Sequence, residues 1–494
     1  MPMREERHPR RVRRGSRRAD GSPGGFGPRA RRALRWLPDV LVVVLVLAAG
    51  VNVAFDVTAN LAGDASPAEV LPPEGLDLAA SGTAPPVATT STLGEAGGRL
   101  DPAAVAAAVS PYLAGLGPHA AVVVDDLVTG EVAYRHGAGR VTPASTMKLL
   151  TSVAALEALG PMTRFATTVV LDGNRLTIVG GGDPFLMSSR AKAAGLYPNR
   201  ADLDTLATRT AAALTARGVH AVRLSYDASR FSGPAVNPTW PASYLTEDVV
   251  PPITALWADE GKGPDGRYVA DPALAAGQEF AAALGRHGIA VTGAVAAASG
   301  GPAAVEVARI ESAPVGQIVQ QTLAVSDNNS AEVLAHQVGL AEVQDASFAG
   351  GVAGVEKVLT GLGVPLAGSV IHDGSGLSRE NRLTPAALLA VLRAGASGDH
   401  PKLRELLTGL PVAGFTGSLQ WRFEKGPAEA KGRVRAKTGT LTGVSGLAGM
   451  ATDLDADRIG FVAIADGFDP TKTMEVRATL DRIAAALGAC HCAR

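Results

Sequence analysis

The chain is organised around Thr142-Pro143-Ala144-Ser145-Thr146-Met147-Lys148, a stretch that begins a helical pattern running to Leu159. Ser145 and Lys148 are three residues apart, so on a helix their side chains lie one turn apart on the same face. A serine hydroxyl is a poor nucleophile unless a neighbouring group takes its proton, and a lysine with a lowered pKa can do this. The pair predicts a nucleophilic serine beside its own base near a helix N-terminus, although on its own it also fits an exposed helix start.

Composition limits what this chain can be. It has 494 residues, of which 46% are apolar, enough for a sizeable core and for about three domains. The net charge is −1, but residues 1–36 contain twelve arginines against three acids, a balance of +9, so residues 37–494 carry −10. An acidic body argues against nucleic acid as the main partner.

The N-terminal part of the chain predicts a membrane attachment. Residues 1–36 are basic, and an apolar run from Val40 to Phe55 follows them. We expect a basic cytoplasmic segment over 1–36, a transmembrane anchor or signal over 37–57, and a flexible linker rich in Pro, Ala and Gly over 58–99. The run is long for a signal core and has no convincing cleavage site, which favours a retained single-pass anchor with the rest of the chain outside the cytoplasm.

Two further polar stretches lie at the ends of predicted elements. Ser326-Asp327-Asn328-Asn329 falls in a break between two predicted helices, where its side chains can face a cleft, although the same residues also make a good helix N-cap. Lys437-Thr438-Gly439-Thr440 ends a predicted strand that begins at Val434, and two more predicted strands follow it. The chain thus contains three short motifs in the order S-x-x-K, S-D-N and K-T-G.

These three motifs, in this order and in these settings, are the signature of penicillin-binding proteins and class A β-lactamases. More specifically, the chain resembles the class C low-molecular-mass penicillin-binding proteins, the D-alanyl-D-alanine carboxypeptidase and endopeptidase family. The resemblance spans about residues 100–487. Four further stretches support it: Gly180-Gly181-Gly182-Asp183-Pro184, His372-Asp373-Gly374-Ser375-Gly376-Leu377-Ser378-Arg379, Asn381-Arg382-Leu383-Thr384-Pro385, and Gly417-Ser418-Leu419-Gln420-Trp421-Arg422-Phe423.

The resemblance implies an α/β (α+β) penicillin-binding/β-lactamase-like transpeptidase fold. Its core would be a five-stranded antiparallel sheet, built from the first two and the last three strands and flanked by helices. The 177 residues between Lys148 and Ser326 leave room for an inserted domain. We expect a catalytic domain over 100–161 and 271–487 and an inserted domain over 162–270.

The resemblance also implies catalytic residues. Ser145 would attack the carbonyl between the last two D-alanines of a peptidoglycan stem peptide, with Lys148 as base, and form an acyl-enzyme. Ser326 would relay the proton to the leaving amine, and Asn328 would orient Lys148 and the substrate amide. The expected partners are peptidoglycan peptides ending in D-Ala-D-Ala and β-lactam inhibitors.

The third motif would bind substrate. By the same resemblance, Lys437 adds a positive field that helps to keep Lys148 neutral, while Thr438 and Thr440, on either side of Gly439, bind the terminal carboxylate. The oxyanion hole would come from the backbone N–H groups of Ser145 and Thr440, since preformed donors are usually the largest single contribution to catalysis.

The C-terminal Cys490-His491-Cys492 carries the only cysteines of the chain. A bridge across C-x-C would close a very small strained ring, and two thiols with one histidine lack a fourth partner for zinc. We therefore expect no disulfide framework, no metal site, no cofactor, and a disordered tail over 488–494.

Two other functions stay open at the level of sequence. The chain could be a non-catalytic penicillin-recognising protein that binds the cell wall, but the intact Ser145 and Lys148 argue against this. It could also be a related serine hydrolase or a β-lactamase. Class A β-lactamases lack the insertion and need a deacylating glutamate, and no E-x-x-x-N occurs in this chain. The sequence does not separate carboxypeptidase from endopeptidase activity.

Overall fold

The computed structural model describes residues 99–494, so the predicted membrane segment 37–57 lies outside the described residues. None of the helices in this described range is long and apolar enough to span a bilayer. The strands are β1 (Ala120–Asp126), β2 (Val132–Gly137), β3 (Ala166–Asp172), β4 (Arg175–Val179), β5 (Ala221–Asp227), β6 (Ala290–Val291), β7 (Ala296–Ala297), β8 (Val305–Glu311), β9 (Val434–Leu441), β10 (Val444–Thr452) and β11 (Arg458–Asp466).

Helices of very different length connect these strands. The α-helices are α1 (Pro102–Val109), α2 (Lys148–Leu159), α3 (Arg190–Ala193), α4 (Leu203–Thr215), α5 (Ser243–Thr246), α6 (Pro272–Arg286), α7 (Val315–Val325), α8 (Asn328–Val343), α9 (Phe348–Gly361), α10 (Pro385–Ala396), α11 (Arg404–Thr408) and α12 (Thr473–Gly488). Short 3-10 turns are Ser110–Leu116, Ala144–Met147, Asp259–Gly261, Pro401–Leu403, Gly417–Leu419, Ala428–Ala430 and Pro470–Lys472.

The central sheet has five strands in the order β2-β1-β11-β10-β9, and every pairing in it is antiparallel. It joins the first two and the last three strands predicted for the catalytic domain, so the predicted α+β architecture is confirmed. All seven residues of β1 are buried, because helices cover both faces of the sheet. β9 is an edge strand, which leaves one side of its backbone facing the cleft.

Two apolar layers sandwich the central sheet. On one face, Val123 and Val462 pack with Leu149 and Val153 of α2 in a core that also includes α7 to α10. On the other face, α1 and α12 cover the sheet. α2 is buried on every side from Lys148 to Leu156, as expected for a helix in the middle of a core. The helix that follows Ser145 is therefore held by packing all round.

A second sheet lies between the first and second motifs. Its order is β6-β5-β4-β3-β8, with β7 paired to β5, and it has its own apolar core beneath α4 and α6. We predicted that this insertion ends at residue 270, but the sheet takes its last strand, β8, from Val305–Glu311. The Pro-rich connection over 251–266 suggested a boundary, yet Trp257 within it is fully buried. β8 was missed because its charged residues, Glu306, Arg309 and Glu311, interrupt the apolar pattern that indicates a strand, as is common in an edge strand.

The C-terminal tail is ordered, contrary to our prediction for 488–494. Cys490 and Cys492 form a disulfide, and Cys492 is fully buried. Asp101 N donates to Cys492 O at 2.7 Å, and Arg494 N donates to Arg99 O at 2.9 Å. The tail thus pairs with the start of the described chain, a long-range pairing that no local pattern in the tail predicts.

Candidate active site

The nucleophile lies on a sharp turn before α2. Ser145 belongs to the 3-10 turn Ala144–Met147, and Lys148 is the first residue of the α-helix itself. The turn is fixed by Thr146, whose hydroxyl donates to Pro143 O at 2.7 Å. Lys148 Nζ donates to Ser145 Oγ at 3.0 Å, so the predicted pair is in hydrogen-bond contact. Ser145 is half-buried, so its hydroxyl can meet a substrate.

Lys148 is fully buried, and its hydrogen bonds converge from three parts of the fold. Besides Ser145, its Nζ donates to Asn328 Oδ1 at 2.8 Å and to Ser375 O at 2.7 Å. All three acceptors are neutral oxygens. Burial lowers the pKa of Lys148 to about 8, while the nearby charges of Glu332, Asp327 and Asp373 oppose this shift. The amine is therefore far easier to deprotonate than an ordinary lysine.

The second motif sits at the junction of α7 and α8. Ser326 ends α7 in the left-handed conformation, with φ of 63°. Asp327 caps α8 by accepting a hydrogen bond from Asn329 N at 2.8 Å. The N-cap interpretation therefore holds for Asp327, whereas Asn328 contacts Lys148 and Ser326 contacts the third motif. Because the chain changes direction between the two helices, neighbouring side chains can point to different partners.

The third motif places a second buried lysine against a serine. Lys437 Nζ donates to Ser326 Oγ at 2.8 Å and to Thr438 O at 2.9 Å. Burial, followed by the charges of Lys148 and Arg422, holds the pKa of Lys437 well below its usual range. Burial is the main cause of the lowered pKa of Lys148, and the like-charge repulsion between Lys148 and Lys437 contributes to the low pKa of Lys437.

The edge of β9 provides backbone and hydroxyl groups to the cleft. Ala436 N donates outward to Pro411 O at 3.0 Å, so the two-residue period of a strand also turns the N–H groups of Thr438 and Thr440 away from β10. The hydroxyls of Thr438 and Ser418 lie 3.0 Å apart. A Cβ on Gly439 would lie 2.7 Å from Pro143 O, so only glycine lets this strand approach the turn before Ser145.

A loop outside the three motifs completes the site. Asp373 accepts hydrogen bonds from Trp240 Nε1 and Asn381 Nδ2, each at 2.8 Å, and from Gly376 N at 2.9 Å. It thereby folds the Gly-rich segment so that Ser375 O faces Lys148. The sequence left two interpretations of this segment open, a lining of the active site and a structural turn, because a Gly-rich turn with an acid is usually structural.

The cleft therefore brings together Ser145, Lys148, Ser326, Asn328 and Lys437, from three separate parts of the chain. Thr438 lies beside them, while Thr440 is exposed further along β9. Over residues 99–494, no group of three His, Cys, Asp or Glu side chains is arranged to hold a metal ion. A serine with a lysine of lowered pKa, beside outward-facing N–H donors, can carry out acyl transfer.

Known proteins are similar to this chain in sequence and in fold. The D-Ala-D-Ala carboxypeptidase 3 (S13) family matches residues 105–264 and 262–487. A carboxypeptidase of Mycobacterium tuberculosis is 35% identical over 420 residues, which cover 82% of this chain and 87% of its own. A D-alanyl-D-alanine carboxypeptidase of Actinomadura is 31% identical over 66% of this chain and 74% of its own. The crystal structure of penicillin-binding protein 4 from Haemophilus influenzae has a TM-score of 0.66 at 23% identity, over 76% of this chain and 97% of its own, and shares the fold.

Proposed function

The chain belongs to the D-Ala-D-Ala carboxypeptidase 3 (S13) family, and from this membership we propose how its residues carry out catalysis. The protein is a serine D-Ala-D-Ala carboxypeptidase that acts on peptidoglycan stem peptides and binds penicillin. The observation that carries the assignment of residues is the hydrogen bond of 3.0 Å between Lys148 Nζ and Ser145 Oγ, in a site where burial lowers the pKa of the lysine.

Lys148 acts as the general base. It takes the proton of Ser145 as Oγ attacks the carbonyl carbon between the last two D-alanines, and a tetrahedral intermediate forms. With a pKa of about 8, roughly a tenth of the amines are neutral at pH 7, against about one in three thousand for an ordinary lysine. Asn328 Oδ1 and Ser375 O hold the amine in line with the hydroxyl.

Ser326 delivers the proton that the leaving group needs. Lys437 Nζ donates to Ser326 Oγ, so the hydroxyl hydrogen of Ser326 remains free to point towards the substrate. As the C–N bond breaks, Ser326 passes a proton from Lys148 to the nitrogen of the departing D-alanine. The acyl group stays on Ser145 Oγ until water hydrolyses the ester.

The β9 edge binds the substrate's end. Lys437, Thr438 and Thr440 bind the terminal carboxylate, with Gly439 giving the strand its close approach to the nucleophile. The N–H groups of Ser145 and Thr440 form the oxyanion hole. The outward direction of the Thr440 N–H on the edge strand supports this role, because preformed donors stabilise the oxyanion without reorganising.

We also propose that the N-terminal segment holds the enzyme at the outer face of the cell membrane, where its substrate is. Support comes from the basic residues 1–36 followed by the apolar residues 40–55. Membrane fractions of cells producing the full chain should contain the protein at its full mass, and externally added protease should degrade the catalytic domain. Recovery of a shortened chain in the medium would show cleavage instead.

The first test is mass spectrometry of the full chain after incubation with benzylpenicillin. We expect one adduct on Ser145 that lasts for minutes or longer, and none in Ser145→Ala. Ser152→Ala is the matched control, because Ser152 is buried on α2, the helix that follows Ser145, and its Oγ has no hydrogen-bond partner in the described structure. The control should keep the adduct. An equal adduct in Ser145→Ala would refute the nucleophile assignment.

A second assay separates the peptidase activities. Release of D-alanine from a stem pentapeptide measures carboxypeptidase activity, and cleavage of a cross-linked stem-peptide dimer measures endopeptidase activity. Both should disappear in Ser145→Ala. Rapid turnover of benzylpenicillin with no D-alanine release would favour a β-lactamase.

A further inference from the structure

A buried carboxyl group in the wall of the cleft belongs to none of the three motifs. Glu332 lies on α8 four residues after Asn328, so the two side chains project from the same face of the helix. The side chain of Glu332 is fully buried. A buried carboxyl needs hydrogen-bond partners to offset its desolvation, so its partners indicate what it does.

Both oxygens of Glu332 accept hydrogen bonds from the loop that contacts Lys148. Ser375 N donates to Oε1 at 2.7 Å, and Gly374 N donates to Oε2 at 3.1 Å. The carbonyl of the same Ser375 accepts the hydrogen bond of 2.7 Å from Lys148 Nζ. The backbone of Ser375 therefore links Glu332 to Lys148: its N–H donates to the carboxyl group, and its carbonyl accepts from the amine.

This loop is wedged between α8 and the turn that carries the nucleophile. Gly376 has φ of +87°, and a Cβ on it would lie 1.9 Å from Ala144 O. A Cβ on Gly374 would lie 2.7 Å from the Cβ of Ala335 on α8. Because both sides are filled, any shift of the loop away from Glu332 changes the position of Ser375 O relative to Lys148.

The charge of Glu332 also acts on the base. The ionisable groups that face Lys148 are Glu332, Asp327 and Asp373, which favour its protonated form, and Lys437 across the cleft. Of the three acids, Glu332 has the largest influence. Burial, and then Asp373, raises the pKa of Glu332 itself, whereas the hydrogen bonds from Ser375 and Gly374 lower it.

We propose that Glu332 is a positioning residue for acylation: it fixes the Gly374–Ser375 backbone so that Ser375 O holds the Lys148 amine against Ser145, and it faces the ammonium that forms when Lys148 takes the serine proton. It never contacts the substrate. This inference rests on the proposed function, since it assumes that Lys148 is the base for Ser145.

The test compares two buried carboxyl groups with the same kind of partners. Glu332→Gln replaces one acceptor oxygen by an N–H₂ group, which opposes a loop N–H, and removes the charge. The control is Asp453→Asn, since Asp453 is fully buried and accepts from Asp455 N and Asp457 N but lies at the end of β10 away from Lys148. Each full-chain variant is assayed for the second-order rate constant of acylation by a fluorescent penicillin between pH 6 and 10.

For Glu332→Gln we expect acylation to fall about tenfold to a hundredfold at its plateau, because the base is misplaced. We also expect the pH midpoint of its rise to shift to lower pH, because losing a negative neighbour lowers the pKa of Lys148 further. Glu332→Asp, which keeps the charge, should keep the wild-type midpoint with a smaller loss. Asp453→Asn should leave rate and midpoint unchanged at a comparable loss of thermal stability.

Three outcomes would decide against the proposal. Glu332→Gln with the wild-type rate and midpoint would overturn it while leaving the proposed function intact. A rate loss with an unchanged midpoint, matched by Asp453→Asn, would show a merely structural role. If wild-type enzyme is not acylated on Ser145 at all, the proposed function fails first. Should Glu332→Gln not fold, Glu332→Asp decides, because its midpoint must stay at the wild-type pH.

Discussion

The cleft contains two lysine–serine pairs that look alike and differ in what surrounds them. Lys148 donates to Ser145 at 3.0 Å, and Lys437 donates to Ser326 at 2.8 Å. Both lysines are fully buried, and burial lowers the pKa of each. The charged neighbours of Lys148 include three acids, led by Glu332, whereas the pKa of Lys437 is influenced by the cations Lys148 and Arg422.

The difference shows how one kind of contact can serve two tasks. The acids around Lys148 keep its pKa within reach of neutral pH, so it can both accept and return a proton. The cations around Lys437 make its protonated form costly until an anion arrives. A substrate carboxylate beside Lys437 would favour the charged form there, so Lys437 suits substrate binding while Lys148 suits proton transfer.

The largest effect should come from removing the base. Lys148→Met keeps the length and suits a buried site, and we expect acylation by benzylpenicillin to fall by about 10⁴-fold. Lys148→Arg should be nearly as inactive, because a guanidinium does not give up its proton. Stopped-flow acylation rates measure both. The control Lys192→Met removes an exposed lysine and should change nothing. A loss below about tenfold in Lys148→Met would contradict the assignment.

The next largest effect concerns the proton delivered by the second pair. Ser326→Ala should lower kcat for D-alanine release from a pentapeptide by about 10²- to 10⁴-fold, since the leaving amine then lacks its donor. Ser330→Ala, which removes a neighbouring buried hydroxyl bonded to Thr322, is the control. The idea fails if the two variants lose activity equally.

The pH dependence should identify which lysine limits acylation. Since the reaction needs neutral Lys148, the acylation rate should rise about tenfold per pH unit below the pKa and level off above about pH 8. Benzylpenicillin carries one charge throughout this range, so the profile reports the enzyme. A rate that stays flat between pH 6 and 9 would show that deprotonation of Lys148 is not required.

The smallest effect should distinguish binding from chemistry. Thr438→Val removes the hydroxyl that lies 3.0 Å from Ser418 Oγ. We expect KM for a peptide ending in a free carboxylate to rise about tenfold, because one hydrogen bond to a charged group is lost, with kcat nearly unchanged. A peptide ending in a carboxamide should show no such rise. A drop in kcat alone would place Thr438 with the chemistry of the first pair.

The sequence predicted those parts of the molecule that depend on local pattern and on motif chemistry. β9 begins at Val434 as predicted, and the central sheet has the predicted strands, because apolar segments separated by clear turn signals are typical of strands. The three motifs come together because each lies where an element ends. The spacing of Asn328 and Glu332, four apart on one helix, was a signal for Glu332 that we did not use.

The errors concern long-range pairing. β8 pairs with β3 across more than a hundred residues, and its three charged residues interrupt the apolar pattern of a strand. Ser375 contributes a backbone carbonyl, which any residue type can supply, so sequence could not identify it. The origin of the lowered pKa of Lys148 depends on burial, which only the packed structure reveals.

The ordered tail has one more consequence. Leu100 and Ala493 form an antiparallel bridge, so the two ends of the described range, residues 99 and 494, lie next to each other. Residues 99–494 therefore form a folded unit whose two ends are adjacent. Joining residues 99 and 494 by a short linker and opening the chain in an exposed loop, such as 262–267, should yield a circular permutant that still folds. Equally, a bulky C-terminal fusion would crowd residue 99, where the predicted N-terminal linker ends.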